Sequence, residues 1–149
     1  MPELSLRAMT QDDLLSLEPL LAQLGYDIAP DEVARRFAAV MKASGHCLDV
    51  AERDGRVIGF IHFYARAALE KPPEVIVQAL VVDADVRGGG IGQELMRRAE
   101  DWATGNGYAS VALGTQTSRD DAHAFYQRLG YRVAATSHLM RKAIGRKGG

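Results

Sequence analysis

The chain has 149 residues, of which 47% are hydrophobic and 25% charged, and its 18 basic and 19 acidic side chains leave a formal net charge of −1. That length suits one domain over residues 1–149, with 143–149 as a flexible tail. The balanced charge argues against a nucleic-acid partner, which needs a clustered basic face. Cys47 stands alone, which excludes an intramolecular disulfide and a cysteine-rich metal site. No secretion signal and no apolar run of about 20 residues is visible, so the expectation is a cytoplasmic protein with no membrane partner and no metal.

Residues 4–7 alternate as a short strand. Thr10 and Asp13 resemble a helix-capping signature, after which Leu14, Leu17, Leu21 and Leu24 recur at helical spacing. Pro19 interrupts that pattern, so a kink or split is expected there. A second helix is predicted from Pro30, a residue suited to a first helical turn, with Val33, Phe37, Val40 and Met41 inward and Gly45 as its stop. Two strands follow, His46 to Arg53 and Val57 to Tyr64, joined by the hairpin dipeptide Asp54-Gly55.

Beyond Pro72 and Pro73, a nearly unbroken apolar strand from Val75 to Val82 reads as covered on both faces. From Ile91 the period becomes helical, with Leu95, Ala99, Trp102 and Ala103 on one stripe. A strand over 108–115, a short helix from about Asp121 to Leu129, and two strands around Tyr131 to Ala134 and His138 to Lys142 complete the order. This is an α/β chain with helices on both sides of a mixed sheet.

The segment RGGGIGQELM follows a buried strand and opens an amphipathic helix. Glycines permit positive φ and close approach of a ligand, and the first helix amides lack intrahelical partners at the positive end of the dipole. A pyrophosphate fits such a turn, with Arg87 adding a charge-assisted contact. The nucleotide loops that share this design are excluded by one residue. Gln93 stands where the Walker loop needs its lysine and where a dinucleotide fingerprint needs its third glycine.

The stretch VVDADVRGGGIGQELM resembles the acyl-CoA motif of the GNAT superfamily of N-acetyltransferases, Arg/Gln-x-x-Gly-x-Gly/Ala, at Arg87, Gly90 and Gly92. Downstream, AHAFYQRLGYRV is similar to that family's second motif at Ala122, Phe125, Tyr126, Gly130 and Tyr131. The resemblance implies a mixed, mostly antiparallel sheet of about six to seven strands, flanked by about four helices and splayed at the fourth or fifth strand. It implies acetyl-CoA as cofactor, held by the backbone of Leu80, Val81 and Val82 and by Arg87, Gly88, Gly89, Gly90, Ile91, Gly92 and Gln93. Many members carry asparagine where this chain has Arg119, beside Ser118; its pantetheine contact is then lost, moved to Ser118, or replaced by a charged contact from Arg119 to a cofactor phosphate.

The resemblance further implies acetyl transfer directly to a primary amine of a small molecule. Tyr126 is then the proton donor to the departing thiolate and Glu74 the candidate base, with Glu70 and His62 as alternatives. Acetylation of a protein or peptide amine, and a catalytically inactive acyl-CoA sensor, stay open as rival readings. A homodimer is compatible with the resemblance.

Overall fold

The computed structural model describes residues 3–115 and 120–145. These contain β1 (Ser5–Ala8), α1 (Leu14–Gln23), α2 (Pro30–Lys42), β2 (His46–Arg53), β3 (Arg56–Arg66), β4 (Glu74–Val82), α3 (Ile91–Gly105), β5 (Val111–Leu113) and α4 (Asp120–Arg128). Two compact units result, Met1–Gly114 and Thr115–Gly149.

In the first unit the strands lie in the order β1-β2-β3-β4-β5. The first four pair antiparallel and β5 joins β4 in parallel. Asp54 (φ 55°) and Gly55 (φ 72°) both take positive φ between β2 and β3, as a tight two-residue hairpin turn requires. Pro30 occupies the first turn of α2, where its missing N–H costs nothing. α1 is not split at Pro19 but runs through it, preceded by a 3-10 turn at Gln11–Asp13.

One core cluster joins Met9, Leu17, Leu20, Val50, Phe60 and Val81, with Val33 and Phe37 of α2 packed against it. α3 supplies Ile91, Leu95, Met96, Ala99 and Ala103, all buried. Burial of each large side chain among these stabilises the fold by about 2 kcal/mol. Trp102, expected in the core from its stripe position, is only half-buried, edge-on to Phe63 at 5.7 Å and stacked on Tyr108 at 5.9 Å.

The sheet has five strands among the described residues, not six to seven. The segments Tyr131–Ala134 and His138–Lys142 form no strand. A strand is specified where one of its faces is buried. Here Val133, Leu139 and Met140 are 68%, 82% and 88% exposed, so no such face exists. β5 is also shorter than expected, because the amide of Tyr108 is used to close α3 on Ala103 (2.9 Å). In the second unit α4 ends where Gly130 (φ 96°) turns left-handed and the amide of Tyr131 bonds the Tyr126 carbonyl at 3.0 Å.

Candidate active site

β4 is paired with β3 along its whole length, but with β5 only from Val75 to Val77. At that point the β3–β4 register shifts. Val77 faces Phe63 and Ala79 faces His62, leaving Gln78 as the extra residue of a bulge. Pairing of β4 with β5 therefore stops at Val77, beside the bulge. Antiparallel pairs alternate between bonded and non-bonded, and the Asp83 amide bonds the Ile58 carbonyl at 2.8 Å. By that alternation Ala79 and Val81 spend their backbone groups on β3. Leu80 and Val82 turn theirs to the opposite edge, where no described β5 residue pairs with them. Val81 packs its side chain into the core instead.

The chain leaves β4 through Asp83, a buried carboxylate that caps the 3-10 turn Ala84–Val86 by accepting from the Asp85 amide (3.0 Å). Asp83 also accepts from Arg56 (2.8 Å) and from the Gln23 amide nitrogen (3.4 Å). These bonds, led by the Asp85 amide, hold its carboxyl below the usual range. Gln23 in turn accepts from the Ala84 amide at 2.8 Å. The end of α1 and the start of β3 thus fix the base of the turn.

Arg87 follows, exposed and donating to the Val82 carbonyl at 3.3 Å. Gly88 and Gly90 take φ of 91° and 78°, and a Cβ on either would meet nothing within 4 Å. Only glycine adopts this backbone at low cost, and no neighbour packs into the space. Gly90 is the N-cap of α3, and its carbonyl takes the Glu94 amide at 3.0 Å. The amides of Ile91, Gly92 and Gln93 precede that first bond, so they have no intrahelical acceptor. An open strand edge, an uncovered glycine turn and a free helix N-terminus lie in sequence along one path. Their donors and shape fit an extended amide-bearing arm followed by a pyrophosphate, which is the chemistry of coenzyme A.

Other residues singled out in the sequence stand elsewhere. Glu74 opens β4, bound to Arg66 (3.2 Å) and to the Ser110 hydroxyl (2.8 Å). Six residues separate it from Leu80, about 20 Å along an extended strand, and the structure does not bring the two together. Glu70 is exposed in the loop before β4. Tyr126 lies on α4 in the second unit, half-buried, with Phe125 and Tyr131 edge-on at 5.0 and 6.0 Å. Ser118 and Arg119 fall outside the described residues. Cys47 is half-buried, and burial followed by Asp49 pushes its thiol up, away from the nucleophilic form.

His62 is the base candidate that acquires a built environment, because its Nε2 lies 3.0 Å from Nδ1 of His46. Gln23, Arg56, Asp83 and His46 were not singled out by sequence motifs. Their partners are up to 61 residues away, and only the short polar run after Val82 hinted at a capped turn. Among the described residues no group of three or more His, Cys, Asp or Glu could hold a metal ion, and no helix is long and apolar enough to cross a membrane.

The sequence pattern of the acetyltransferase (GNAT) family matches residues 11–131. The chain is 33% identical over 134 residues to the aminoalkylphosphonate N-acetyltransferase of Salmonella typhimurium, covering 89% of this chain and 87% of that one. It is 37% identical over 101 residues to the N-acetylaspartate synthetase of Rattus norvegicus, covering 67% of this chain but only 33% of that protein. The chain thus spans about a third of the length of that relative. Among solved structures it resembles the aminoglycoside N-acetyltransferase AAC(6')-Iy in complex with CoA, with a TM-score of 0.86, 21% identity and 97% of both chains covered, a likeness of fold. The glycine turn, the strand edge before it and these matches agree, and the chain belongs to the acetyltransferase (GNAT) family.

Proposed function

We propose that the protein transfers the acetyl group of acetyl-CoA directly to a primary amine of a small molecule. The observation that carries this reading is the open edge of β4 running into the uncovered glycine turn. Leu80 and Val82 would pair with the pantetheine amides as a missing strand does. The Leu80 N–H would donate to the thioester oxygen and so stabilise the developing oxyanion. Gly88 to Gln93, with Arg87, would receive the pyrophosphate through backbone donors and the helix dipole.

The amine nitrogen attacks the thioester carbon, the new C–N bond forms, and the C–S bond breaks. Direct transfer is favoured because the single cysteine is held in its protonated form. Tyr126 is the assigned proton donor to the thiolate. A thiol near pKa 8.5 and a phenol near 10 place full transfer about 2 kcal/mol uphill, so its proton moves as the thiolate develops. Ser118 and Arg119 are proposed as further pantetheine or phosphate contacts, in place of the asparagine common in the family.

A small-molecule acceptor is favoured by the relatives, two of which are named for a small substrate or product, aminoalkylphosphonate and N-acetylaspartate. The test is thiol release from acetyl-CoA with a panel of aminophosphonates, amino acids, amino sugars and polyamines, beside basic peptides. Turnover confined to small amines supports the reading. Turnover on peptides alone replaces it with the protein-modifying one, and tight cofactor binding with no turnover on any amine replaces it with an acyl-CoA sensor.

A further inference from the structure

Side chains alternate along a strand, so Phe60, His62 and Tyr64 of β3 share one face of the sheet. Opposite them on β2 are Val50, Leu48 and His46, and on β4 Val81, Ala79 and Ile76. The upper part of this face is the apolar cluster of Leu48, Phe60, Ala79 and Val81 under α1 and α2. Where that cluster ends, three polar rings meet. His46 Nδ1 and His62 Nε2 are 3.0 Å apart, and the His46 ring stacks on Tyr64 with centroids 4.7 Å apart and planes 8° from parallel. Both imidazoles are half-buried. His62 faces Ala79, between the bulge at Gln78 and Leu80, whose N–H faces the edge of β4 away from β3.

We infer that His62 is the proton acceptor for the attacking amine and that His46 positions it. This rests on the acetyl-transfer reading above. Geometry favours His62 over its partner, because β3 borders β4 while β2 lies one strand further away. In the working tautomer His62 donates its Nε2–H to His46 Nδ1, which leaves the Nδ1 lone pair of His62 to receive the amine proton, directly or through one water. The imidazolium so formed keeps its Nε2–H on His46. Atoms balance. The C–N bond forms, the amine proton passes to His62 and then to solvent, and the C–S electron pair leaves on sulfur, which takes its proton from the acid.

The surroundings keep His62 neutral. Burial first, and the neighbouring His46 second, lower it to about 4, so it is neutral at neutral pH. Tyr64 is the other titratable ring on this face. The nearest charged pair along it, Arg66 and Glu74, is neutralised at 3.2 Å beyond Tyr64. Ala79 and Ile76 on β4 and the α1–α2 cluster add no charge. Asp49 and Cys47 alternate with these residues on β2 and face α3, where Asp49 bonds Arg98 at 2.9 Å.

The test uses the whole chain, with His62→Gln and His46→Gln assayed on the best amine of the panel. His62→Gln is expected to lower kcat on the order of 100-fold, while coenzyme A affinity stays within about twofold. His46→Gln removes a neighbour that lowers His62, so the acid limb of kcat/KM moves to higher pH. The His62 ring-proton titration in the free protein moves the same way by NMR. The thermal shift on adding coenzyme A reports that each variant is folded, and His62→Asn replaces the glutamine variant if that one is not. A wild type active on amines whose His62 variants keep kcat within twofold overturns the inference and leaves the acetyl-transfer reading standing. A wild type inactive on every amine overturns both.

Discussion

The side-chain oxygen of Gln23, on the last turn of α1, accepts a 2.8 Å hydrogen bond from the amide of Ala84, 61 residues further along the chain. That bond and the Asp83 contacts tie the glycine turn to the fold rather than to the cofactor. Gln23→Ala therefore removes about 1 kcal/mol of support from the turn. The KM for acetyl-CoA is expected to rise about fivefold, with kcat at saturating cofactor nearly unchanged. Steady-state kinetics over a range of acetyl-CoA concentrations checks this, and an equal fall in kcat would place Gln23 in the chemistry instead.

Gly90 needs its left-handed backbone and has open space where a Cβ would stand. Gly90→Ala is expected to destabilise the fold by about 1 kcal/mol. Gly90→Asn tolerates the φ better, so its melting temperature should stay closer to wild type. Both put atoms where a pyrophosphate is to lie, so both should weaken coenzyme A binding at least tenfold. Melting curves with and without coenzyme A separate backbone strain from lost binding.

A Cβ on Gly59 would lie 2.9 Å from the Val81 carbonyl and 3.3 Å from Leu95 Cδ1. The first of these is backbone and cannot swing aside. Gly59→Ala should therefore destabilise the protein by about 1–3 kcal/mol and push β4 off β3 beside Leu80 and Val82. Denaturant unfolding measures the first effect, and a rise in the acetyl-CoA KM the second.

Arg7 binds Asp13 at 2.8 Å and Glu52 at 2.7 Å, and Asp13 also takes the Thr10 amide at 2.7 Å. The Arg7 bond, ahead of the Thr10 amide, holds the Asp13 carboxyl below its usual range. A carboxyl lowered on folding contributes stability that is present above the unfolded value near 3.9 and is lost as pH falls through the folded value. Asp13→Asn should cost about 2 kcal/mol near neutral pH, and the difference from wild type should shrink below about pH 4. Urea unfolding at several pH values tests it.

Tyr126→Phe keeps the ring packing against Phe125 and Tyr131 and removes only the hydroxyl. With Tyr126 as proton donor, kcat should fall about 100-fold while the KM for acetyl-CoA changes little. Unchanged turnover would remove Tyr126 from the mechanism.

The elements legible in the sequence were those with local causes. Pro30 opened a helix, Asp54-Gly55 closed a hairpin, and the apolar run before Arg87 became β4. The last two expected strands failed because a short run such as His138 to Lys142 does not disclose whether a partner ladder exists. Glu74 drew notice for its place at a strand start, yet Arg66, which occupies it with Ser110, lies on β3, and Ser110 lies in the loop before β5. The His46–His62 contact depends on strand register across 16 residues, and no motif encodes it.

The turn and the start of α3 are proposed to hold a pyrophosphate. Calorimetric titration of the wild type and Gly90→Asn with coenzyme A, and separately with pantetheine, tests it most directly. Two charge-assisted bonds at about 1.5 kcal/mol each make coenzyme A on the order of 100-fold tighter than pantetheine in the wild type. That gap should close by tenfold or more in Gly90→Asn. Equal affinity of the wild type for the two ligands would contradict it.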